Sequence, residues 1–199
     1  AFAGGIKTQR LTGSSQTHVV LGFPLPSSAA ADPAGVVAAA LLGEGMSSPL
    51  MDEIRERRGL VYYASCTAEV MDVCGQFVIE ASTSPAQLDE VVDAVMGLLD
   101  AHAESIAATG LERAKNQIAV RNLGAQERPF RRIEDAAQDL FVFGRVRSRE
   151  EIAARIEAVT GSLRTVVKGI HEVAEGLAGI TQASTEQSLT LSEIAQAVK

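Results

Sequence analysis

The side chains that could bind a metal or act as a nucleophile are few and widely separated. The three histidines are His18, His102 and His171, and none of them belongs to an HxxEH or HxxxH helix motif. A zinc hydrolase needs several such ligands close together, so isolated histidines predict partly buried or surface side chains. No Gly-x-Ser-x-Gly segment occurs, which excludes the nucleophile elbow of serine hydrolases. We therefore expect no self-contained catalytic centre in this chain.

The cysteines predict no disulfide. Cys66 and Cys74 are the only two among 199 residues, which excludes a disulfide-stapled scaffold. They fall on two neighbouring strand-like segments at different distances from the turn between them, so their side chains should not face one another. We expect two buried, reduced thiols.

A glycine-rich turn followed by a helix start is the most distinctive local feature. Gly43 and Gly45 predict a flexible turn, and Ser48-Pro49 predicts the first residues of a helix. Such a turn can bind an anion or an extended backbone through the free N–H groups of the helix start, although it is more often only a helix start.

Three arginines follow on the same helix, which Gly59 is predicted to end. They are Arg55, Arg57 and Arg58. The helix dipole favours cations near a helix C terminus, so solvent-exposed arginines are the ordinary interpretation of this cluster. A strand beginning near Val61 is expected directly afterwards.

The composition is that of an acidic chain with a substantial apolar fraction. Its 18 Lys and Arg against 25 Asp and Glu give a formal net charge of −7, which argues against a nucleic-acid partner. No apolar run reaches the roughly 18 residues of a membrane-spanning helix. Residues 1–10 also lack the pattern of a signal peptide. We expect a protein without a membrane span, located in a bacterial cytoplasm or periplasm.

The elements that must position these residues predict an α+β fold. Val19–Phe23 predicts one strand, and Val61–Val70 with Gln76–Thr83 predicts a hairpin. Several Ser, Asp and Thr residues occupy capping positions before helical patterns, including Thr109 with Glu112 and Ser148 with Glu151. Strands grouped in this way, with helices on one side, predict a two-layer sheet of mainly antiparallel strands covered by helices.

The composition changes near Thr160, where we place a boundary between residues 1–160 and 161–199. The second segment has no aromatic residue, proline or cysteine. It has a heptad repeat that predicts a long helix packed along a partner surface, either this domain or a second copy of the chain. Its seam residues are Leu163, Val166, Ile170, Val173, Leu177, Ile180, Ser184, Gln187, Leu191, Ile194 and Val198.

Five ordered segments resemble the M16 family of zinc metallopeptidases, which includes mitochondrial processing peptidase, pitrilysin and insulin-degrading enzyme. The family patterns are close to HVVLGFP, DP, LGGGMSSRL, ELREKRGLAY and DxGxFxI. Their counterparts are His18 to Pro24, Asp32-Pro33, Gly43 to Leu50, Glu53 to Tyr62 and Asp72 to Ile79. The resemblance covers about residues 1–160 and is to the second, non-zinc domain of the family.

This resemblance implies that catalysis needs a second domain. The HxxEH motif and its zinc would belong to another domain or a partner subunit, so this chain alone is expected to bind no zinc and hydrolyse no peptide. The second domain is implied to place an Arg and a Tyr, seven residues apart, against the peptide substrate, and Arg55 and Tyr62 match. Gly43 and Gly45 resemble a glycine-rich segment that handles substrate, although two neighbouring positions differ from the usual residues there.

Residues 161–199 resemble the cytoplasmic helices of methyl-accepting chemotaxis receptors. The similar segments run from Ile170 to Val173, from Ile180 to Ser188 and from Ile194 to Val198, and Glu186-Gln187 resembles a methylation site. A generic amphipathic coiled-coil helix is the alternative. We expect this segment to self-associate.

The residues and the resemblances together predict a function. We expect the substrate-binding, non-catalytic half of an M16-type zinc metallopeptidase, which cleaves peptides or proteins only together with an HxxEH-bearing domain or subunit. The alternative is a non-enzymatic scaffold or signalling module that keeps the fold for binding.

Overall fold

A small antiparallel sheet packed against helices forms the part of the chain that the structure describes. This computed structural model describes residues 5–9, 13–30, 32–159 and 161–174. The α+β class predicted from the sequence is confirmed. Within these ranges no helix is long and apolar enough to span a membrane.

The sheet contains three strands, β1 (Thr17–Leu25), β2 (Tyr63–Val70) and β3 (Gly75–Thr83). β3 lies in the centre and pairs antiparallel with both neighbours, so the hairpin expected from the sequence is confirmed. Alternate residues point into the core, as the two-residue period of a strand requires. Phe77 of β3 is buried there and packs edge-to-face against Phe23 of β1.

The helices are α1 (Ala34–Gly43), α2 (Pro49–Met51), α3 (Leu88–Glu104), α4 (Ala108–Gln126), α5 (Pro129–Phe143) and α6 (Arg149–Ala158), followed by helical residues 161–174, here α7. A π-helical turn, Asp52–Arg57, continues α2. α1 is the central helix. It is apolar on all sides and almost wholly buried because it contacts both β2 and α4.

Serine side chains cap two helices as predicted. Ser48 Oγ accepts a hydrogen bond from the Met51 N–H at 3.3 Å, and Ser148 Oγ accepts one from the Glu151 N–H at 3.1 Å. The capping box expected at Thr109 is wrong, because α4 already begins at Ala108 and Thr109 lies inside its first turn.

Both cysteines are free thiols, but only one is buried. Cys66 points from β2 into the core, where burial raises the pKa of its thiol and keeps it protonated. The expectation that Cys74 is also buried is wrong, since this residue lies in the exposed turn that joins β2 to β3.

An almost buried ion pair fixes the end of α5. Asp139 is 7% exposed and accepts hydrogen bonds from the Arg147 guanidinium at 2.7 Å and 3.0 Å, and from the Arg147 backbone N–H at 2.8 Å. Burial by itself would raise the pKa of Asp139, but the hydrogen bonds and charge of Arg147 outweigh it and hold the pKa below its ordinary value. The same guanidinium lies over the Phe143 ring, 4.2 Å from its centre.

The apolar stripe of α7 packs onto the protein's own core. Leu163, Val167, Ile170 and Ala174 are all buried in that core. Of the predicted seam, Leu163 and Ile170 are buried, whereas Val166 and Val173 are only partly buried, so the buried stripe does not follow the heptad strictly. The first part of the segment packs on this chain, one of the two possibilities expected from the sequence.

The domain boundary at Thr160 and self-association through residues 161–199 stay predictions. Buried side chains continue across the expected boundary at Thr160, from Val159 to Leu163. Residues 175–199 carry the rest of the heptad and the methylation-like Glu186 and Gln187, and they lie outside the described residues. Self-association through residues 161–199 is not tested by the structure.

Candidate functional site

The helix that carries the arginine cluster is anchored from below by buried apolar side chains. Leu50 and Ile54 are fully buried, and Gly59 ends the helix with a positive φ of 63°. The Leu60 N–H then donates to the Ile54 carbonyl at 2.8 Å, which turns the chain back toward β2. The charged side chains of this helix are thereby directed away from the core.

The π-helical winding decides how the three arginines are paired. In a π turn a backbone N–H bonds to the carbonyl five residues earlier, and here side chains five apart also meet: Arg57 lies 2.9 Å from Asp52 and Arg58 lies 2.7 Å from Glu53. Arg57 also lies 3.8 Å from Glu53. Arg55 has no acidic residue five positions earlier, and its nearest carboxylate is that of Glu56, 3.5 Å from its Nε. Arg55 is therefore the arginine of this cluster whose guanidinium is least neutralised.

Arg55 is brought together with Tyr62, the second residue expected at the site. The Arg55 guanidinium carbon lies 5.4 Å from the centre of the Tyr62 ring, which is a cation–π contact. Tyr62 is 82% exposed, and within the described ranges its hydroxyl has no hydrogen-bond partner. A partly exposed guanidinium beside a free phenol can bind a carbonyl or carboxylate oxygen from two directions.

Gly43 and Gly45 lie in the same region but in different environments. Gly43 is buried against β2, where an added Cβ would lie 2.2 Å from the Cys66 Cβ and 2.7 Å from its backbone nitrogen. Gly45 is in the left-handed region with a φ of 88°. Gly43 is therefore required for packing, and Gly45 for the turn. A substrate role for either residue stays a prediction.

α4 holds this glycine turn in place through side chains that the sequence did not single out. Arg113 donates to the carbonyls of Leu41 at 2.7 Å and Glu44 at 3.0 Å, and Gln117 donates to the Glu44 carbonyl at 3.2 Å. Arg121 pairs with the Glu44 carboxylate at 2.9 Å. The signal for them is their spacing, because polar residues four apart form one stripe on a helix.

Met46 also belongs to this region, and it was not expected there. Its Sδ accepts a hydrogen bond from Arg55 Nη1 at 3.7 Å, and the residue is 61% exposed. Met46 directly follows Gly45, so it links the glycine turn to Arg55. The one sequence feature that could have indicated Met46 is that it is a large apolar residue inside a polar turn.

The described residues do not fit a zinc ion. They contain no cluster of three or more His, Cys, Asp or Glu side chains that could hold a metal. The histidines are instead engaged separately: His18 Nδ1 lies 2.7 Å from Ser82 Oγ, and His102 Nδ1 lies 2.8 Å from the Leu98 carbonyl. His171 Nδ1 lies 2.6 Å from Asp100 Oδ1.

A concavity separate from the Arg55–Tyr62 surface lies between α1, α4, α5 and α6. It has a volume of about 250 Å³. Its lining includes Arg121, Asp139 and Arg147, whose charges are already paired with Glu44 or with one another. None of the residues expected to bind substrate lines it.

Comparison with known protein families identifies the family of this chain. The family described as "Peptidase M16 inactive domain" matches residues 1–118. The chain belongs to the peptidase M16 inactive domain family.

Relatives of this M16 inactive domain include bacterial proteins named uncharacterized zinc proteases. One from Streptomyces coelicolor is 30% identical over 163 residues, covering 79% of this chain and 35% of its own length. One from Rickettsia bellii is 33% identical over 114 residues, covering 57% of this chain and 28% of its own length. The chain therefore spans about a third of the length of these relatives.

Solved structures share the fold. The crystal structure of a peptidase M16 inactive domain from Pseudomonas fluorescens matches with a TM-score of 0.63 at 20% identity, covering 78% of this chain and 38% of the other. A protease from Helicobacter pylori matches with a TM-score of 0.61 at 20% identity, covering 83% and 39% of the two chains. At this identity the likeness establishes the architecture of the M16 inactive domain and nothing about its ligands.

Proposed function

We propose that this M16 inactive domain is the substrate-binding, non-catalytic half of a zinc metallopeptidase. The observation that carries the proposal is the state of Arg55. Of the three clustered arginines it has the most distant carboxylate partner, Glu56 at 3.5 Å against 2.9 Å and 2.7 Å for the partners of the other two, and it contacts the exposed ring of Tyr62. A partly exposed arginine with a loosely placed carboxylate partner is suited to bind an oxygen acceptor of a ligand.

Each side chain of this pair has its own role in the proposal. The Arg55 guanidinium holds a carbonyl oxygen or a terminal carboxylate of the peptide and so fixes its position. The Tyr62 hydroxyl, which has no acceptor among the described residues, donates to an oxygen of the substrate that gains negative charge during hydrolysis. Both groups act by positioning and charge stabilisation, and neither attacks the peptide bond.

The zinc and the glutamate base would come from a companion domain or subunit that carries HxxEH. A zinc supplies a bound water as the nucleophile in such enzymes. Two facts support a companion: the family is named as an inactive domain, and this chain covers only 28% and 35% of the length of its zinc-protease relatives. The described residues offer no metal cluster of their own.

An exposed apolar face on α5 supports the same proposal. Phe130 is 85% exposed, Ile133 67% and Phe141 77%. Their spacing puts all three on one side of the helix. Large apolar groups gathered on one face are typical of a surface that another protein covers. We assign this face to the companion domain.

The decisive experiment mixes the chain with a separately purified HxxEH domain from an M16 zinc protease. We expect zinc in the HxxEH domain only, and cleavage of a quenched fluorescent peptide only when both proteins are present. Mass spectrometry measures the zinc content of each protein, and initial rates measure peptide cleavage. Zinc bound tightly by this chain alone, or peptide cleavage by this chain alone, would contradict the proposal. Binding of the two proteins without any cleavage would favour the scaffold alternative.

A further inference from the structure

We propose that Met46 determines substrate specificity at the Arg55–Tyr62 surface, by selecting peptides with a bulky apolar side chain next to the carbonyl that Arg55 binds. The inference rests on the proposed function and extends it to a class of substrate. It concerns a residue for which the glycine turn and the arginine cluster gave no indication.

The backbone around Met46 is fixed, although its side chain is exposed. On one side, the Glu44 carbonyl accepts hydrogen bonds from Arg113 and Gln117, and the Glu44 carboxylate pairs with Arg121. On the other side, Ser48 is fully buried, and its N–H donates to the Gly45 carbonyl at 3.1 Å. A large apolar side chain is thus held at a defined place in solvent. It does not fill the core of its own fold, so packing in that core does not explain its position.

The contact with Arg55 connects this side chain to the proposed binding group. A thioether is a weak acceptor, so the Met46 Sδ at 3.7 Å orients the guanidinium without neutralising its charge. Arg55 also touches the Tyr62 ring, so the cation is accompanied by two apolar neighbours, 61% and 82% exposed. This combination offers one charged donor with apolar surface beside it.

The geometry of a peptide brings one of its side chains close to Met46 when Arg55 holds its carbonyl. In a peptide the side chain nearest to a carbonyl oxygen is only a few ångströms away along the chain. A peptide whose carbonyl is held by Arg55 therefore places that side chain within reach of the thioether or the ring. Methionine is flexible and polarisable, so it can pack against apolar side chains of different shapes. Glycine at the same place in the peptide would leave Met46 exposed.

The test uses the full chain with ¹³C-labelled methionine methyl groups and two probes, acetyl-Ala-Leu-Ala-amide and acetyl-Ala-Gly-Ala-amide. NMR titration follows the methyl signals of Met46, Met51, Met71 and Met96. We expect the leucine peptide to shift the Met46 signal and to bind roughly fivefold more tightly than the glycine peptide, since only part of an apolar side chain is covered. Met46→Gln should equalise the two affinities. Met71→Gln, which changes a methionine 48% exposed in the β2–β3 turn, should leave the preference intact.

The outcomes separate this inference from the function on which it rests. If Met46→Gln keeps the leucine preference while Arg55→Ala abolishes binding of both peptides, the inference is overturned and the proposed function stands. If Arg55→Ala binds both peptides as the unaltered chain does, the proposed function fails. Equal affinity of the unaltered chain for the two peptides, or no binding of either, overturns the role of Met46.

Discussion

The Arg55 guanidinium lies over the ring of Tyr62, 5.4 Å from its centre, although the turn at Gly59 separates the two residues. The contact joins the end of the π-helical turn to the segment that enters β2. It places a cation and a phenol side by side on the surface of a fold whose core lies beneath them. The function proposed for the chain depends on this pair.

The hydroxyl of Tyr62 can be tested apart from its ring. Tyr62→Phe keeps the cation–π contact and removes only the donor. Since the residue is 82% exposed, we expect nearly unchanged stability, whereas turnover with an HxxEH domain should fall on the order of 100-fold. Tyr63→Phe, 55% exposed on β2, is the matched control and should retain the rate. Full activity of Tyr62→Phe would show that the hydroxyl takes no part.

Gly43→Ala should destabilise the fold. The new Cβ would lie 2.7 Å from the backbone nitrogen of Cys66, so α1 and β2 must separate, and the free energy of unfolding should fall by about 2 kcal/mol or more. Gly97→Ala is the control: it lies in α3 with open space around it and should raise stability by up to about 1 kcal/mol. Urea unfolding measures both. Equal stability of Gly43→Ala and the unaltered chain would refute the packing role.

Asp139→Asn should destabilise the protein in a pH-dependent way. The pKa of this carboxyl is held below its ordinary value of 3.8, so the ion pair stabilises the fold at neutral pH, and its contribution is lost as the pH falls below about 4. At pH 7 the substitution should cost about 3 kcal/mol, because Arg147 loses its partner.

Unfolding curves at pH 7, 5 and 3 check the direction of this pH dependence. The difference between Asp139→Asn and the unaltered chain should persist at pH 5 and narrow at pH 3. Asp135→Asn removes an exposed partner of Arg131 on the same helix and should change little at any pH. A difference that grows on acidification would contradict the assignment.

The exposed face of α5 should be needed for association with the companion domain. The double variant Phe130→Ser, Phe141→Ser removes two side chains that are 85% and 77% exposed, so the isolated chain should keep its thermal stability. Its affinity for an HxxEH domain, measured by calorimetry, should fall at least about tenfold. Val73→Ser, 81% exposed in the β2–β3 turn, should not change the affinity. Unchanged binding by the double variant would place the interface elsewhere.

The fold was predictable from the sequence where the signals are local. The hairpin of β2 and β3 follows from two segments of strand-forming residues around a turn, and the helix start at Ser48 follows from a capping residue before proline. Thr109 shows the limit of this reasoning, because a residue suited to a cap also occurs inside a first turn.

The pairing within the site was less predictable because it depends on helical winding. The usual spacing of four residues would pair Arg57 with Glu53, but those atoms lie 3.8 Å apart, whereas the π turn brings Asp52 to 2.9 Å. Five residues before Arg55 the sequence has Leu50, so the same winding gives Arg55 no acidic partner there. The approach of Met46 to Arg55 depends on α4 holding the glycine turn, a long-range contact that local patterns do not encode.

The most direct test of the central claim compares Arg55→Ala with Arg57→Ala in the enzyme reconstituted with an HxxEH domain. Both variants remove one arginine from the same helical turn, so their effects on net charge are matched. Because the Arg55 side chain is 31% exposed and that of Arg57 is 69% exposed, the thermal stability of each variant is measured alongside. The account predicts that Arg55→Ala lowers kcat/KM about 100-fold, whereas Arg57→Ala, whose arginine is paired with Asp52, stays within about twofold of the unaltered protein. Equal losses in the two variants, or full activity of Arg55→Ala, would contradict it.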